Sequence, residues 1–465
     1  MSLGILWLGD DLRMADQEVL LRAAQQVDSL VIVYAGELSP WPSHNRRAVS
    51  PSPFSRHEPS SLRREFLRQG LLALDEKLQA LGQRLWITSA DSLTAATASL
   101  TALIRHTGAT QLFRNAHPGG YEQHVLSQLQ RRFVDLQLVE CSGLTLFSPS
   151  QLPFSLDELP DTFSAFRRQV EALEIDGPMA SPDWLPPAPA SLDQVLRDAG
   201  FTAAADLSSV TPSVIPSVKG GEAAAVAHLQ QYFSGAAASV YKDTRNALEG
   251  WDNSTKFSYW LAQGSISPRQ ILQRLKAYER QHGANDSTYW IYFELLWREY
   301  FHWYAHLHGP KLFYREGVQK DVQASRAPQG SFYAERFQKW CAGTTPYPIV
   351  NACMKQLATT GYLSNRGRQL AASCLIYELG IDWRFGAAYF ESQLLDYDVA
   401  ANWGNWQYIA GVGADPRGGR HFNLDKQAQQ YDPEGKFIAK WQGAASSSLA
   451  SMPLDSVDAA DWPVS

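Results

Sequence analysis

The chain contains little cysteine. Four cysteines stand among its 465 residues, at Cys141, Cys341, Cys353 and Cys374. None forms a Cys-x-x-Cys pair, and none has a histidine nearby at ligand spacing. Structural zinc and iron–sulfur clusters need such groupings, so we predict no metal site. We expect free, mostly buried thiols in a reducing compartment.

Long hydrophobic runs are also missing. No stretch approaches the about 18 consecutive apolar residues of a membrane span. The short apolar start of the chain is followed at once by Asp10 and Asp11, which a secretory signal would not have. We therefore expect no membrane association and a cytoplasmic location, with an organelle or the nucleus left open.

Excess positive charge and a dinucleotide fingerprint are absent too. The formal net charge is −6, so any DNA site must be a local basic patch. The first strand pattern is followed by Leu8-Gly9-Asp10-Asp11-Leu12-Arg13 instead of Gly-x-Gly-x-x-Gly. NAD or FAD is therefore not expected in this part of the chain on grounds of fold alone.

What the sequence does contain begins with alternating strand and helix patterns. A broad apolar face over residues 62–81 predicts a helix, and Gly82 is suited to end it. Short apolar runs typical of buried parallel strands occur at 4–8, 30–34, 85–88, 111–113 and 136–139. This alternation predicts an α/β domain with a doubly wound parallel sheet.

The sequence pattern changes twice in the later part of the chain. Nine prolines between residues 150 and 218 indicate a long connector with one short helix over 163–173. Beyond it, helical patterns occur at 223–233, 268–282, 289–308, 336–340, 348–359, 366–379 and 384–395. We predict an α/β domain at 1–145, a connector at 146–218, an all-α cofactor-binding domain at 219–442 and a disordered tail at 443–465.

The stretch from Asp396 to Tyr408 is the most informative one. It places two carboxylates, two asparagines and two tryptophans within thirteen positions, a composition suited to a pocket for a flat, redox-active cofactor. It resembles the flavin-contacting segment of the cryptochrome/photolyase family, and Asn-Trp-Gly-Asn-Trp-Gln-Tyr is most similar to the cryptochrome DASH branch. By that resemblance Asp396, Asp398 and Asn402 contact FAD, with Asn402 at the flavin N5.

A second cluster reads Ser254-Thr255-Lys256-Phe257-Ser258. Hydroxyls, backbone N–H groups and a cation at a helix start can bind a pyrophosphate, although ordinary helix capping explains the same residues. In the photolyase family this cluster grips the FAD phosphates. The resemblance therefore implies cofactor contacts at Tyr241, Ser254, Thr255, Lys256, Phe257 and Ser258.

Two helical motifs carry charge. Glu294, Trp297 and Arg298 fall at i, i+3 and i+4 and share one helix face, which could be a half-buried ion pair under a tryptophan. The resemblance implies instead that Glu294 and Trp297 meet the damaged base and Arg298 lies at the cofactor. The second motif is Asn365-Arg366-Gly367-Arg368-Gln369. For this motif the resemblance implies that Arg368 pairs with Asp396 at the flavin, and a buried structural salt bridge between the two residues is compatible with that role. Asn365 would also contact the cofactor.

The remaining assignments concern electron transfer and DNA. In the family, tryptophans at the positions of Trp340, Trp383 and Trp406 relay electrons from the surface to the excited flavin; each alone is equally consistent with core packing. Gln369 and Tyr408 stand where most cyclobutane-dimer photolyases carry Met and Trp, as in the DASH branch. The resemblance implies DNA contacts at Arg245, Arg298, Arg366, Gln369, Tyr408 and Arg420.

The function implied by the resemblance is repair in blue light. Excited reduced FAD gives an electron to a cyclobutane pyrimidine dimer in single-stranded or looped DNA, the ring opens and the electron returns. We expect a monomer. A folate (methenyltetrahydrofolate) antenna is implied as well, but the loop 115–123 departs from the folate-contacting pattern, so folate, another chromophore or none stays open. Gly9 and Asn351 also depart from the family, which usually has Arg and Asp there.

Two other functions use the same residues. A blue-light photoreceptor with a signalling or transcription-regulating role needs the same FAD and tryptophans; Glu294, Trp297 and Asn402 favour repair. A flavin electron-transfer protein working in the dark is disfavoured, because no NAD(P)H motif is visible. A helical protein without any cofactor is disfavoured because five motifs match in order and spacing.

The relay assignment makes a direct prediction. Replacing Trp406 with Phe should slow the photoreduction of oxidised flavin, because Phe is a far poorer electron donor, and should leave repair by already reduced protein intact. The flavin absorbance under blue light and a single-turnover repair assay measure the two effects. Unchanged photoreduction would refute the relay role of Trp406.

Overall fold

A six-stranded sheet forms the N-terminal part of the structure, a computed structural model that describes residues 2–36, 58–88, 93–190, 192–318, 334–415 and 418–444. Its strands are β1 (Leu3–Leu8), β2 (Ser29–Tyr34), β3 (Leu85–Thr88), β4 (Gln111–Asn115), β5 (Gln137–Cys141) and β6 (Phe201–Ala203). Their order in the sheet is β5-β4-β1-β2-β3-β6, and only the β3–β6 pair is antiparallel. The first five strands lie at the predicted apolar runs.

Helices cover both faces of this sheet. They are α1 (Glu18–Gln26), α2 (Ser61–Ala80), α3 (Leu93–Thr107) and α4 (Gly120–Arg132). Alternate residues of each strand point to opposite faces. Leu6 and Ile32 therefore belong to one buried cluster, with α1 and α2, while Ile5 and Val31 belong to the other, with α3 and α4. The predicted doubly wound α/β domain is confirmed.

The predicted connector contains its predicted short helix, α5 (Phe163–Val170), and also regular structure that the sequence analysis missed. The missed elements are α6 (Leu192–Asp198) and β6, which extends the sheet beyond β3. Strand β6 has three residues, too few for an alternating pattern to stand out among prolines. The connector thus closes one edge of the sheet, and the domain limits proposed from the sequence stay a prediction.

From residue 219 onward, helices are the only regular secondary structure in the described residues. They are α7 (Glu222–Tyr232), α8 (Ala237–Thr244), α9 (Ser258–Gln263), α10 (Pro268–His282), α11 (Asp286–His308), α12 (Ala334–Ala342), α13 (Pro348–Thr360), α14 (Asn365–Ser373), α15 (Trp383–Gln393), α16 (Val399–Ala410), α17 (Leu424–Tyr431) and α18 (Lys436–Lys440). None of the described helices is long and apolar enough to cross a membrane. The predicted helical domain is confirmed. The tail predicted to be disordered, 443–465, lies outside the described ranges except for residues 443 and 444.

Local sequence signals predicted some helix ends correctly and others incorrectly. Helix α10 has the predicted bounds, because Ser267 caps it, accepting a hydrogen bond from the Gln270 N–H at 3.1 Å, and Pro268 occupies its first turn. The predicted helix over 366–379 is wrong in its second half, where α14 ends at Ser373 and a π-helical turn follows. Such turns are rare and are found mostly at functional sites.

Buried charge joins the sheet to the helical domain. Asp16 is fully buried, and its Oδ2 accepts a hydrogen bond from Arg269 Nε of α10 at 3.0 Å. Arg13 donates to the backbone oxygens of Asp16, Gly143 and Gly264 at 2.9, 2.6 and 3.1 Å. Asp16 therefore binds two buried guanidinium groups, that of Arg269 through its carboxylate and that of Arg13 through its backbone carbonyl.

The two departures from the family pattern fit their surroundings. Asn351 is fully buried; its Oδ1 accepts from the Thr345 N–H at 2.7 Å, and its Nδ2 donates to the Thr345 carbonyl at 2.7 Å. An ionised Asp could not donate the second bond. A side chain at Gly9 would begin in open space, so the glycine is not required there by packing.

Replacing Asp16 with Asn should lower the free energy of unfolding by about 3–5 kcal/mol, because it leaves the buried Arg269 guanidinium without its paired carboxylate. The measurement is urea denaturation followed by circular dichroism. Arg22→Ala, which breaks an exposed pair with Glu18 on α1, is the matched control and should change stability by less than about 1 kcal/mol. Equal effects of the two substitutions would contradict the structural role of Asp16.

Candidate functional site

A cavity of about 520 Å³ opens between α8, α9, α11, α14 and α16. This volume is in the range of pockets that hold cofactors. Its lining contains all the residues predicted to bind cofactor: Tyr241, Ser254, Thr255, Lys256, Phe257, Ser258, Arg298, Asn365, Arg368, Asp396, Asp398 and Asn402. Residues separated by about 160 positions in the sequence thus meet in one site, although their contacts with a cofactor stay a prediction.

One end of the cavity carries hydroxyls and a cation. Lys256 Nζ donates hydrogen bonds to Ser254 Oγ at 2.6 Å and to the Gly250 carbonyl at 3.1 Å. Lys256 has a φ of +55°, a left-handed conformation that non-glycine residues rarely adopt outside functional sites. Its ammonium also lies 4.9 Å from the ring centre of Tyr362. This end suits the phosphates of a dinucleotide.

The other end carries a buried ion pair. Arg368 Nη2 lies 2.9 and 2.7 Å from the two carboxylate oxygens of Asp396, and Arg368 Nε donates to the Leu363 carbonyl at 2.8 Å. The Asp396 side chain is 2% exposed. Burial alone would lower the pKa of Arg368, but Asp396 outweighs it and raises that pKa. The predicted pair is confirmed as a contact.

Asp398 stands beside this pair and begins α16. Its Oδ1 accepts from the Ala401 N–H at 2.9 Å as the helix cap. Its Oδ2 accepts from His302 Nε2 at 2.7 Å and lies 3.4 Å from Arg298 Nη2. Burial would raise the pKa of Asp398, but His302 and Arg298 hold it well below its usual range. Asp398 is therefore a carboxylate at neutral pH.

A third group lies where the cavity meets the surface. Glu294 Oε1 pairs with Arg245 Nη2 at 2.6 Å, and burial raises the pKa of Glu294 while Arg245 lowers it. The Trp297 ring stacks on Phe163 of α5, with centroids 3.7 Å apart and planes at 14°. The connector thus supplies a backing for Trp297. Asn402 Nδ2 donates to the Ala387 carbonyl at 3.0 Å, which leaves Oδ1 as its acceptor.

The predicted DNA residues divide into two sets. Arg245, Arg298, Gln369 and Tyr408 line the cavity, whereas Arg366 and Arg420 do not. Arg420 Nε pairs with Asp415 at 2.9 Å and its Nη2 donates to the Tyr408 hydroxyl, so its charge is partly neutralised. Arg366 contacts neutral groups, Gln427 Oε1 at 3.3 Å and Asn246 Oδ1 at 3.4 Å, and its charge is more available to phosphate.

The predicted relay tryptophans are buried, with exposed fractions of 0% for Trp340, 1% for Trp383 and 3% for Trp406. Trp406 lines the cavity, and its ring lies 6.3 Å from that of Trp340. Trp383 packs against Trp403 at 5.7 Å. None of the three reaches the surface, so a relay that begins there needs a further donor. The relay stays a prediction.

A second pocket, of about 60 Å³, lies between the sheet and the helical domain. His117 occupies it, with Nε2 3.0 Å from Asp10 Oδ2 and Nδ1 3.2 Å from Glu122 Oε2. Burial would lower the pKa of His117, but the two carboxylates raise it well above its usual value. This pocket is much smaller than the main cavity. The folate antenna stays a prediction.

Sequence reasoning missed several residues that line the main cavity or lie next to it. Tyr362 contacts the Lys256 ammonium, and Trp290 lies under Arg245, whose Cζ is 4.5 Å from the ring centre. His302 contacts Asp398. Its position four residues after Arg298 places it on the same helix face, a signal that was available in the sequence.

Among the described residues no group of His, Cys, Asp and Glu could hold a metal ion, and all four cysteines are free thiols. The cavity instead combines a cationic, hydroxyl-rich end with a paired-carboxylate end joined by aromatic walls. Apolar walls with a few placed polar groups are typical of cofactor sites. These residues fit a flavin dinucleotide.

Known proteins match the chain in both parts. A family model described as DNA photolyase matches residues 4–189, and one described as the FAD binding domain of DNA photolyase matches residues 290–457. A cryptochrome DASH from Idiomarina loihiensis is 48% identical over 465 residues, 99% of this chain and 96% of that protein. One from Vibrio parahaemolyticus is 46% identical over 464 residues, 100% and 97%. A solved Synechocystis cryptochrome superposes with a TM-score of 0.80 at 36% identity, covering 95% of this chain and 88% of that one.

The Arg368–Asp396 pair can be tested for a role beyond stability. Arg368→Met should cost about 3–5 kcal/mol of stability, because it leaves a buried carboxylate unpaired, and should also weaken FAD retention. The double variant Arg368→Met/Asp396→Leu should recover much of the stability but not the FAD binding. Urea denaturation of the apoprotein and flavin absorbance after gel filtration measure the two quantities. Recovery of FAD binding by the double variant would make the pair purely structural.

Proposed function

The chain belongs to the cryptochrome DASH branch of the cryptochrome/photolyase family, and from this premise we propose that it repairs cyclobutane pyrimidine dimers in blue light, preferentially in single-stranded DNA. FAD binds in the helical domain, which is the FAD-binding domain of photolyases. The observation that carries the proposal is that Glu294, Trp297 and Asn402 line the same cavity as the predicted cofactor residues. A signalling protein does not need this convergence.

Bound FAD supplies light absorption and the electron for ring opening. The protein's part is to hold the lesion and to balance charge. Trp297 offers an aromatic face whose position is set by stacking on Phe163. A flipped pyrimidine pair can pack on that face, because stacking of a base on an aromatic ring is worth about 1–3 kcal/mol.

Glu294 is placed to hold a proton at this point. Its Oε1 faces Arg245, which leaves Oε2 for the base. Because burial raises the pKa of Glu294, its protonated form is more populated than that of an exposed glutamate, and a protonated carboxyl can donate a hydrogen bond to a base carbonyl that gains negative charge.

Asn402 serves the cofactor side of the cavity. Its amide is neutral at all physiological pH values, so it can accept a hydrogen bond from reduced flavin without titrating. The bond from Nδ2 to the Ala387 carbonyl orients the amide in advance. This arrangement favours a reduced, anionic flavin, which the repair reaction requires.

The preference for single strands is argued from Tyr408. Its ring lies 5.8 Å from that of Trp297 at 79°, so the two rings form perpendicular walls. Tyr is smaller than the Trp usual there in photolyases that repair duplex DNA, and it stacks on a lesion less strongly. Flipping a dimer out of an intact duplex costs a few kcal/mol, and a single strand avoids that cost.

Binding to DNA would be electrostatic in part. Arg366 has only neutral partners among the contacts described for it, and Arg245 borders the cavity. Phosphate contacts of this kind weaken with increasing salt. We propose a monomer that acts in the cytoplasm.

The test uses purified, reduced, FAD-loaded protein and an oligonucleotide with one cyclobutane thymine dimer. We expect restoration of the thymines in blue light and none in the dark, with faster repair of the single strand than of the duplex. Glu294→Ala should slow repair by about tenfold or more while leaving FAD content and photoreduction unchanged.

Light-dependent repair of the duplex as fast as that of the single strand would overturn the strand preference. No repair at all, from protein that still holds photoreducible flavin, would overturn the proposal and favour a photoreceptor.

A further inference from the structure

His302 lies just outside the cavity and has no role in the proposed repair. It belongs to α11, one turn beyond Arg298, and its side chain is 4% exposed. Its Nε2 lies 2.7 Å from Asp398 Oδ2, and a carboxylate can only accept, so Nε2 is the donor. His302 therefore contacts a charged side chain that lines the cavity.

The other ring nitrogen of His302 is unusual. Nδ1 is buried and has no hydrogen-bond partner among the described residues. In the neutral ring Nδ1 is an unpaired acceptor, whereas in the charged ring it would be a buried N–H donor without an acceptor. Leaving a charged donor unpaired costs more than leaving a neutral acceptor unpaired, so this geometry favours neutral imidazole.

Burial and the charges around His302 together also favour the neutral imidazole. Arg298 on its own helix and His117 in the loop after β4 lower the pKa of His302, and Asp398 at the start of α16 raises it; burial lowers it most, and the net shift is downward. His306, one turn further along α11, has its pKa lowered to about 3, mainly by burial, and is neutral at any pH of interest.

We propose that His302 is a positioning residue for the flavin, which holds Asp398 with a neutral N–H donor and changes the field at the cofactor when the imidazole takes up a proton. While His302 is neutral, the positive charge next to Asp398 is that of Arg298. Protonation of His302 would place a second positive charge next to Asp398. The proposal rests on FAD occupying the cavity and not on DNA repair.

The consequence is a measurable reduction potential. Reduction of flavin to its anionic form adds negative charge, which a nearby positive charge stabilises. The midpoint potential of bound FAD should therefore rise when His302 is protonated. A permanently charged side chain at position 302 should raise the midpoint potential at every pH. A neutral hydrogen-bond donor at this position should not raise it at any pH.

The experiment compares midpoint potentials of bound FAD from neutral pH to the most acidic pH at which FAD stays bound, because the pKa of His302 lies below 6.5, the ordinary value of histidine. His302→Gln keeps a neutral donor, and His302→Arg adds a fixed cation. His306→Gln is the matched control, because it removes a half-buried imidazole from the same helix. All other titrating groups are common to the parent and the His302 variants, so differences between their curves isolate position 302.

We expect His302→Gln to match the parent protein at neutral pH and to fall below it on the acidic side, where only the parent gains charge. His302→Arg should lie above both curves throughout, and His306→Gln should follow the parent. Parallel curves for the parent and His302→Gln across the whole range would overturn the proposal, as would an unshifted His302→Arg. If His302→Arg does not retain FAD, the parent and His302→Gln decide. Loss of dimer repair with these shifts intact would bear only on the proposed function.

Discussion

Charge inside an apolar helical domain must be paired, and this constraint shapes the cavity. Two carboxylates enter it from the segment before α16, and each meets a guanidinium: Asp396 meets Arg368 and Asp398 meets Arg298. A buried pair gives little net stability, whereas one unpaired partner is strongly destabilising. The relative positions of α11, α14 and α16 are therefore restricted by electrostatics as well as by packing.

Helix α11 is where these requirements meet. Along it, Glu294, Trp297 and Arg298 face the cavity, and Glu299 points the other way, accepting from the Leu146 and Phe147 N–H groups at 2.7 and 3.2 Å. Through Glu299, helix α11 therefore contacts the segment that follows the sheet domain. The stacking of Phe163 on Trp297 is a second contact, between the connector and α11. The sheet domain has no predicted cofactor residue in the main cavity, yet the connector that follows it helps to position Trp297.

Repair and light sensing demand different things from such a cavity. Both need a flavin that can be reduced by light, and the buried tryptophans are compatible with either. Only repair needs an open space beside the flavin that accepts a base and stabilises charge on it. The aromatic walls of Trp297 and Tyr408, the Glu294–Arg245 pair and the neutral amide of Asn402 surround such a space. This arrangement is why repair is the function we propose first.

Local rules in the sequence determined much of this molecule. Continuous apolar runs predicted the parallel strands, because strands covered on both faces admit few polar residues, and Ser267-Pro268 placed the start of α10 through capping. The cavity-lining residues and the Arg368–Asp396 pair were predicted from the resemblance to the photolyase family and not from local rules. Tertiary structure alone decided the rest. Strand β6 is too short to be predicted from its own residues, and it forms by pairing with β3. The stacking of Phe163 on Trp297 joins residues 134 positions apart. The burial of all three predicted relay tryptophans and the contact of His302 with Asp398 depend on how helices pack, which no local pattern encodes.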